Sequence, residues 1–396
     1  NMDIYKKLGI IFAVALAFLI FAGFYDSFPL TEKVIVLSVG IDLPESGEGF
    51  DVSYEVAQAS MKAQGDSAGG SDGGNVIKGS GPTLSTALQD ASEKAGKLVS
   101  LGQSSVIVIG EDYCRKANVA QVLSYFSLSD AFRDGTSVIA CRGKAADLLS
   151  VKLPLGGYVG LVLENTVQHD GKKLGIPYVN VVDFTKMQLS EKQSSYLPLA
   201  EFVREPQSAS GQPQTNGKPV GRFEIRKTML FGGGRFLFEA DKEFTENLVF
   251  MTESESFRTY VINDPLSNPA FTKKAAVGIT EKKLSFGCRT EKDRAVLEVS
   301  VRLKVKRLRT DTDGNVSFFT AKSYGEISQL NKIEVQNKVK ADVEGFYALL
   351  RKYDCDATGL WQTFYKKLGS EWTEFTATRS DWLEKMKTEV YVDVSN

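Results

Sequence analysis

An uninterrupted apolar run covers residues 8–25 of this 396-residue chain, between Lys7 and Asp26. It is long enough to cross the hydrocarbon core of a bilayer as a helix, which takes about 20 residues. Lys6 and Lys7 precede the run and no cation follows it closely, a pattern that predicts an N-terminus inside and the bulk of the chain outside. We therefore interpret residues 1–30 as a membrane anchor or signal segment.

Three interpretations of this run compete: a retained anchor, a cleaved signal peptide and a buried helix of a soluble protein. Small residues at Ala13, Ala15 and Ala17 suit a signal peptidase, but they lie deep within the apolar run. The end of the run resembles a bacterial lipobox except that Phe24 stands where the lipid-bearing cysteine is required. The retained anchor is the interpretation we favour.

Residues 31–155 alternate between strand-like and helix-like patterns, which predicts a first α/β domain. Thr83 is the predicted cap of the first helix, whose apolar face runs from Leu84 to Leu98. Gly, Ser and Asp dominate residues 64–81 and predict a flexible loop. The predicted strands are 34–41, 50–56, 104–110 and 137–141, and the predicted helices are 83–98, 119–126 and 145–149.

Residues 156–300 form the predicted middle domain, whose first part, up to residue 205, shows little regular pattern. A polar, proline-containing stretch at 205–219 predicts a flexible loop or linker. Two apolar segments flank Gly232–Gly234 and predict a β-hairpin rather than a phosphate-binding loop, because no Gly-Lys-Ser/Thr follows.

Residues 301–396 form a predicted C-terminal α+β domain. Apolar residues occupy every odd position from Ala295 to Val305, which predicts a strand with one buried face. Residues 324–352 predict one long helix lying across an antiparallel sheet, because its apolar residues make a single stripe. Residues 388–394 predict a final strand. The predicted fold is thus α/β and α+β: an N-terminal membrane helix followed by about three mixed-sheet domains.

Composition excludes some classes of function. The net charge of −1 gives nucleic-acid binding no electrostatic support. Four scattered cysteines allow three disulfide pairings, and the sequence does not choose among them. We favour the interpretation that all four are free thiols, buried or half-buried. These cysteines are Cys114, Cys141, Cys288 and Cys355.

No catalytic constellation is recognisable. The single histidine, His169, precedes Asp170 in a turn-like segment and is expected at the surface. Residues 311–315 resemble a calcium loop, but the glycine is misplaced and Lys322 stands where a bidentate glutamate is needed, so a hairpin turn is predicted instead. We predict no catalytic, cofactor-binding or metal-binding residues, and a binding or assembly role rather than an enzyme.

Several segments, in order, resemble one family: the C subunits of bacterial spore germinant receptors, known as Ger(x)C. The segment Gly23–Asp26 is similar to the Gly-Cys-Trp-Asp that ends the signal peptide of its members, without the cysteine. Residues 33–42, 54–56, 81–88 and 101–111 resemble the first strands and the first helix of the family. The segment 352–359, Trp372 and the last strand resemble the C-terminal domain.

This resemblance implies a non-enzymatic, extracytoplasmic subunit at the inner spore membrane, working in assembly and nutrient-signal relay. The implied partners are two integral membrane subunits of the receptor, A-type and B-type, with residues 8–25 as the membrane tether. Two other hypotheses stay open. One is a membrane-tethered module that binds a small molecule or cell-wall fragment in a pocket. The other is a cell-envelope hydrolase, which needs two carboxylates about 5–9.5 Å apart in one cleft.

Overall fold

The computed structural model describes residues 33–57, 75–129, 132–190, 192–204, 220–255, 258–263, 274–307 and 327–396, and the isolated helical positions 12, 14 and 16. Apart from those three positions, the predicted anchor at 8–25 lies outside the described residues, as do the loop at 205–219 and the turn at 311–315. Within the described ranges, no helix has both the length and the apolar character needed to span a membrane.

Nine strands of the described residues form one mixed sheet, in the spatial order β3-β2-β1-β5-β6-β7-β8-β9, with β4 paired to β1. Strands β1, β5, β6 and β7 run parallel, and the strands beyond them on each side are antiparallel. The strands are β1 (Lys33–Asp42), β2 (Phe50–Val56), β3 (Asn75–Gly81), β4 (Leu98–Ser100), β5 (Val106–Gly110), β6 (Ser137–Cys141), β7 (Ser195–Arg204), β8 (Gly221–Gly232) and β9 (Arg235–Ala240).

Helices cover both faces of this sheet, because its central strands are apolar on both sides. In β5, Ile107 and Ile109 face one core, whereas Val106 and Val108 face the other. The helices of the first face are α1 (Leu84–Ala95), α2 (Glu111–Lys116), α3 (Val119–Ser127) and, later in the chain, α7 (Val181–Leu189). The second face is covered by α4 (Ala145–Leu149), α5 (Val159–Asn165) and the π-helical turn Thr166–Asp170, which leads into the short helix α6 (Gly171–Leu174).

A second sheet of four strands lies in the C-terminal part, in the order β10-β11-β12-β13. Its strands are β10 (Thr259–Asn263), β11 (Lys274–Thr290), β12 (Ala295–Arg307) and β13 (Lys387–Ser395). Its surrounding helices are α8 (Lys242–Thr252), α9 (Gln329–Lys352), α10 (Leu360–Leu368) and α11 (Ser370–Ala377). The sheet is mixed rather than antiparallel as predicted, because β13 runs parallel to β12.

The long C-terminal helix is confirmed, with a later start than predicted. Ser328 caps α9 by accepting a hydrogen bond from the Asn331 N–H, so the helix begins at Gln329 rather than at residue 324. The predicted apolar stripe is buried against the second sheet. Its members are Val335, Val339, Val343, Phe346 and Leu350.

Three local predictions are wrong. Residues 75–81, predicted as loop, form β3, because the adjacent edge of β2 supplies a full register of backbone partners. The first helix ends before Leu98, since Gly96 takes the left-handed conformation that terminates helices. The segment 156–205 holds α5, α6, α7 and β7 where little regular structure was predicted, because short helices leave little periodic signal.

The remaining predicted strands and short helices are confirmed, as is the β8–β9 hairpin, where Gly233 and Gly234 both have positive φ. The division into three domains stays a prediction. The nine-stranded sheet includes strands from both sides of residue 155.

The two sheets share one continuous core. Phe238 of β9 stacks on Tyr353 with ring centroids 4.0 Å apart, and Phe244 of α8 lies 4.9 Å from Phe346 of α9. The Ser194 N–H donates to the Asp356 carbonyl at 3.0 Å. Contacts on β9, on α8 and before β7 therefore connect the N-terminal and C-terminal parts of the chain.

Candidate functional site

A charged cluster lies at the carboxyl edge of the parallel strands, the edge at which open α/β sheets usually carry their sites. Glu111 directly follows β5, Arg142 directly follows β6, and Glu201 lies within β7. The neighbouring antiparallel strands add Lys227 and Glu239. We call this group the Arg142 cluster; its members are Glu111, Arg115, Arg142, Glu201, Lys227 and Glu239.

Arg142 is the centre of the cluster. Its guanidinium donates to Glu111 Oε1 at 2.6 Å and to Glu239 Oε1 at 2.6 Å. It also donates to Glu201 Oε1 at 2.9 Å. Arg115 adds a second cation between Glu111, at 2.8 Å, and Glu239, at 2.5 Å. Three carboxylates and three cations thus satisfy one another at the half-exposed edge of the sheet.

The pKa values of the cluster follow from this pairing. Hydrogen bonding to Glu239, opposed by partial burial, raises the pKa of Arg142 further above its already high range. Burial alone would raise the pKa of Glu111, but hydrogen bonds from Arg115, the Gly143 N–H and Arg142 outweigh it and lower that pKa. Arg142 likewise holds the pKa of Glu239 below its usual value. Carboxylates held ionised in this way are poor proton donors near neutral pH, so the arrangement suits a structural junction better than acid–base catalysis.

Two buried carboxylates cap helices that are distant from them in sequence. Asp42, at the end of β1, accepts hydrogen bonds from the N–H groups of Ala145, at 2.7 Å, and Ala146, at 2.9 Å, in the first turn of α4. Burial raises the pKa of Asp42, although these two hydrogen bonds oppose the shift. A helix N-terminus has free N–H groups and a positive dipole end, which makes it a good partner for a buried anion.

Glu55 of β2 caps a helix in the same way. Its carboxylate accepts from the Val159 N–H at 2.6 Å and the Gly160 N–H at 2.8 Å, at the start of α5. The Ser38 hydroxyl of β1 donates to the same carboxylate at 2.6 Å. Gly160 has no room for a side chain here, because a Cβ would lie 2.6 Å from the Ser38 Cβ. Both carboxylates therefore tie helices of the second face to the sheet.

A groove of about 670 Å³ lies between α8, β10 and α9. Its central cation, Arg258, pairs with Asp342 at 3.1 Å, and Tyr260 donates to the same carboxylate at 3.1 Å. Lys338 of α9 donates to the Val261 carbonyl on the open edge of β10. The principal charges of the groove therefore serve the contact between α9 and the edge strand rather than an incoming ligand.

The residues considered from sequence do not converge on a site. His169 is exposed in the π-helical turn, next to exposed Asp170. The four cysteines are free, three buried and Cys288 half-buried, as favoured from the sequence. In the described ranges, no three His, Cys, Asp or Glu side chains come together as a metal site would require.

Sequence reasoning missed the Arg142 cluster and the buried carboxylates. Asp42, Glu111 and Arg142 each directly follow a predicted apolar strand. This position at a strand end was the sequence signal that could have revealed them. Partners such as Glu239 lie almost 100 positions further along the chain, so only the sheet order reveals the pairing.

Comparisons with known proteins agree with this architecture. A family profile described as the spore germination protein N-terminal domain matches residues 26–202. A second, described as spore germination B3/GerAC-like, C-terminal, matches residues 226–396. The spore germination protein KC of Bacillus subtilis (strain 168) is 23% identical over 193 residues, which are 46% of each protein. The chain therefore aligns with about half the length of this curated relative.

A solved structure supports the fold independently. The crystal structure of the GerBC protein superposes with a TM-score of 0.52 and 15% sequence identity, covering 90% of this chain and 97% of that chain. At this level of sequence identity, the similarity supports only the fold. The two family profiles match almost consecutive segments in the expected order, and on their combined coverage this chain belongs to the Ger(x)C family of spore germination proteins.

Proposed function

We propose that this chain is a non-enzymatic subunit of a spore germinant receptor, acting in assembly and signal relay on the outer side of the inner spore membrane. The observation that carries the proposal is the match of the N-terminal and C-terminal germination profiles to residues 26–202 and 226–396. The fully paired charges of the Arg142 cluster also favour a structural role over a reaction centre.

The proposed partners are the A-type and B-type integral membrane subunits, and the proposed tether is the apolar run 8–25. The sequence of that run supports tethering, since about 20 apolar residues suffice to cross a bilayer. A retained helix would hold the protein at the membrane more durably than a single lipid chain, which binds only reversibly.

Affinity isolation from detergent-solubilised membranes of its own sporulating cells tests the partners. We expect mass spectrometry to recover multi-span receptor subunits, together with an N-terminal peptide that starts at or near Met2. Recovery of the tagged protein without any multi-span subunit would contradict the assembly role.

The tether has its own test. Leu16→Arg places a charge in the middle of the run, which costs about 2.5–3.5 kcal/mol for insertion at the helix centre. We expect this variant to shift from the membrane to the soluble fraction, whereas the matched Leu16→Ile variant stays in the membrane. Equal membrane retention of both variants would argue against tethering by this segment.

A further inference from the structure

A cleft on the C-terminal part of the molecule differs from the groove beside β10 in the pairing of its polar groups. It lies between α10, α11 and the segment before β7, and has a volume of about 580 Å³. This volume is in the range of roughly 300–1,000 Å³ typical of small-molecule sites. Its lining residues are Lys192, Trp361, Gln362, Tyr365, Thr373, Thr376 and Ala377.

An aromatic pair forms one wall of the cleft. Trp361 and Tyr365 lie one helical turn apart on α10 and stack with ring centroids 5.3 Å apart and planes inclined by 10°. Trp361 is 7% exposed and Tyr365 is 45% exposed, so the tryptophan backs a tyrosine ring that is nearly half open to solvent. A flat, supported aromatic face of this kind is a surface on which the C–H face of another ring can pack.

Several polar side chains around this face have no partner among the described residues. The Trp361 indole N–H is shielded from solvent and makes no hydrogen bond among the described residues. Within the same ranges, the side chains of Gln362, Tyr365 and Lys192 make no hydrogen bond or ion pair with protein groups. In the groove beside β10, by contrast, Arg258 is paired with acidic groups. The exposed aromatic ring of the cleft is therefore surrounded by polar side chains that described protein groups do not occupy.

We propose that this cleft binds a saccharide. A pyranose ring presents an apolar C–H face, which fits the Tyr365 ring, and a rim of hydroxyls, which fits the Gln362 amide, the Lys192 ammonium and the Thr373 hydroxyl. Among the described residues, the lining contains one cation and no carboxylate, so a ligand amine would find no counter-charge there. The pocket is also too polar for a purely apolar ligand. This inference goes beyond the assembly role and does not depend on it.

Binding is tested with the full-length protein and two probes, glucose and an oligomer of N-acetylglucosamine, followed by tryptophan fluorescence and calorimetry. Because Trp361 backs the cleft wall, we expect a saturable fluorescence change at millimolar concentrations or below. Tighter binding of the oligomer would indicate that the natural ligand is part of a glycan. Tighter binding of glucose would indicate that it is a free sugar. No saturable signal with either probe at millimolar concentrations would overturn the proposal.

Variants assign the signal to the cleft. Tyr365→Ala removes the exposed ring and is expected to weaken binding at least about tenfold, whereas Tyr365→Phe keeps the ring and stays within about threefold. Gln362→Ala is expected to weaken binding about fivefold. The matched control is Tyr391→Ala, which removes an exposed ring on β13 and leaves binding unchanged. Wild-type affinity in folded Tyr365→Ala, checked by circular dichroism, would overturn the assignment.

Discussion

Individual side chains in this protein carry much of the polar organisation of the core. Asp42, Glu55 and Asp356 are all buried, and each accepts two backbone N–H groups at the start of a helix. The helices are far from the carboxylate in sequence for Asp42 and Glu55, and adjacent to it for Asp356. A buried carboxylate with two charge-assisted hydrogen bonds fixes the direction of a helix more tightly than apolar contacts do.

Asp356 gives one prediction at this scale. Burial raises its pKa from the ordinary 3.8 to about 6, although hydrogen bonds from the N–H groups of Trp361 and Leu360 oppose the shift. Because the folded-state pKa is above the unfolded one, the group favours folding most below about pH 3.8, and this contribution is lost as pH rises through about 6. A shift of about two pKa units corresponds to roughly 3 kcal/mol.

Asp356→Asn cannot ionise and removes this pH dependence. We expect the free energy of unfolding of the variant, relative to wild type, to rise by up to about 3 kcal/mol between pH 4 and pH 7. Urea unfolding of both proteins at several pH values measures this difference in the free energy of unfolding. The contributions of the other titrating groups largely cancel, because both proteins contain them. A difference that stays constant over this pH range would show that Asp356 titrates normally.

Arg142 gives a second prediction at the residue scale. Arg142→Ala leaves three carboxylates at the sheet edge with only Arg115 and Lys227 to compensate them. We expect a loss of about 1–2 kcal/mol in the free energy of unfolding, reduced by solvent screening because the cluster is half-exposed. The matched control is Lys116→Ala, whose exposed pair with Asp112 should contribute less than about 0.5 kcal/mol. Equal effects of the two variants would mean that the cluster adds no stability.

At the scale of elements, the packing of α1 on β3 depends on glycine. A Cβ at Gly79 would lie 2.7 Å from the Ala91 Cβ and closer still to backbone atoms of α1. At Gly79 the helix therefore approaches the strand more closely than a residue with a side chain would allow. Glycine was one of the signals that suggested a loop at 75–81. At position 79 it is instead required because α1 approaches the strand so closely.

Gly79→Ala tests this contact. We expect a loss of about 1–3 kcal/mol in the free energy of unfolding, because α1 must shift away from β3. Gly135→Ala is the matched control, since its Cβ would meet nothing within 4 Å and its φ is not positive. That control should stay within about 0.5 kcal/mol of wild type in urea unfolding. A neutral Gly79→Ala would show that the helix adapts without cost.

At the scale of the whole molecule, the two sheets are joined by apolar packing. The shared core includes Leu230 and Phe238 of the first sheet together with strands and helices of the second. Phe244 lies at the centre of this junction, with ring centroids 5.7 Å from Phe238 and 4.9 Å from Phe346. This continuity predicts that the two parts unfold together.

Phe244→Ala tests the coupling between the two parts. All three tryptophans lie in the C-terminal part, so fluorescence reports that part, whereas circular dichroism reports both. We expect a loss of about 3–5 kcal/mol that appears equally with both probes. Tyr125→Ala, which removes a partly exposed ring, is the control. Separate transitions in wild type would contradict a single cooperative unit.

The sequence alone determined most of the elements, because each depends on a local pattern. The period-2 pattern of 295–305 became β12, the single stripe of 335–350 became the buried face of α9, and the glycines 232–234 became a hairpin. The ordered family-like segments also indicated the family to which both profiles assign the chain. Local periodicity is sufficient here because burial on one face is a property of neighbouring residues.

Only the tertiary structure decided which elements meet. Strand order places Glu239 beside Arg142, and helix packing places Lys192 beside an aromatic pair more than 160 positions away. Strand β3 likewise exists because β2 offers it a backbone edge and α1 covers its glycines. Such contacts depend on the path of the whole chain, and side chains distant in sequence leave no local pattern that records their partners.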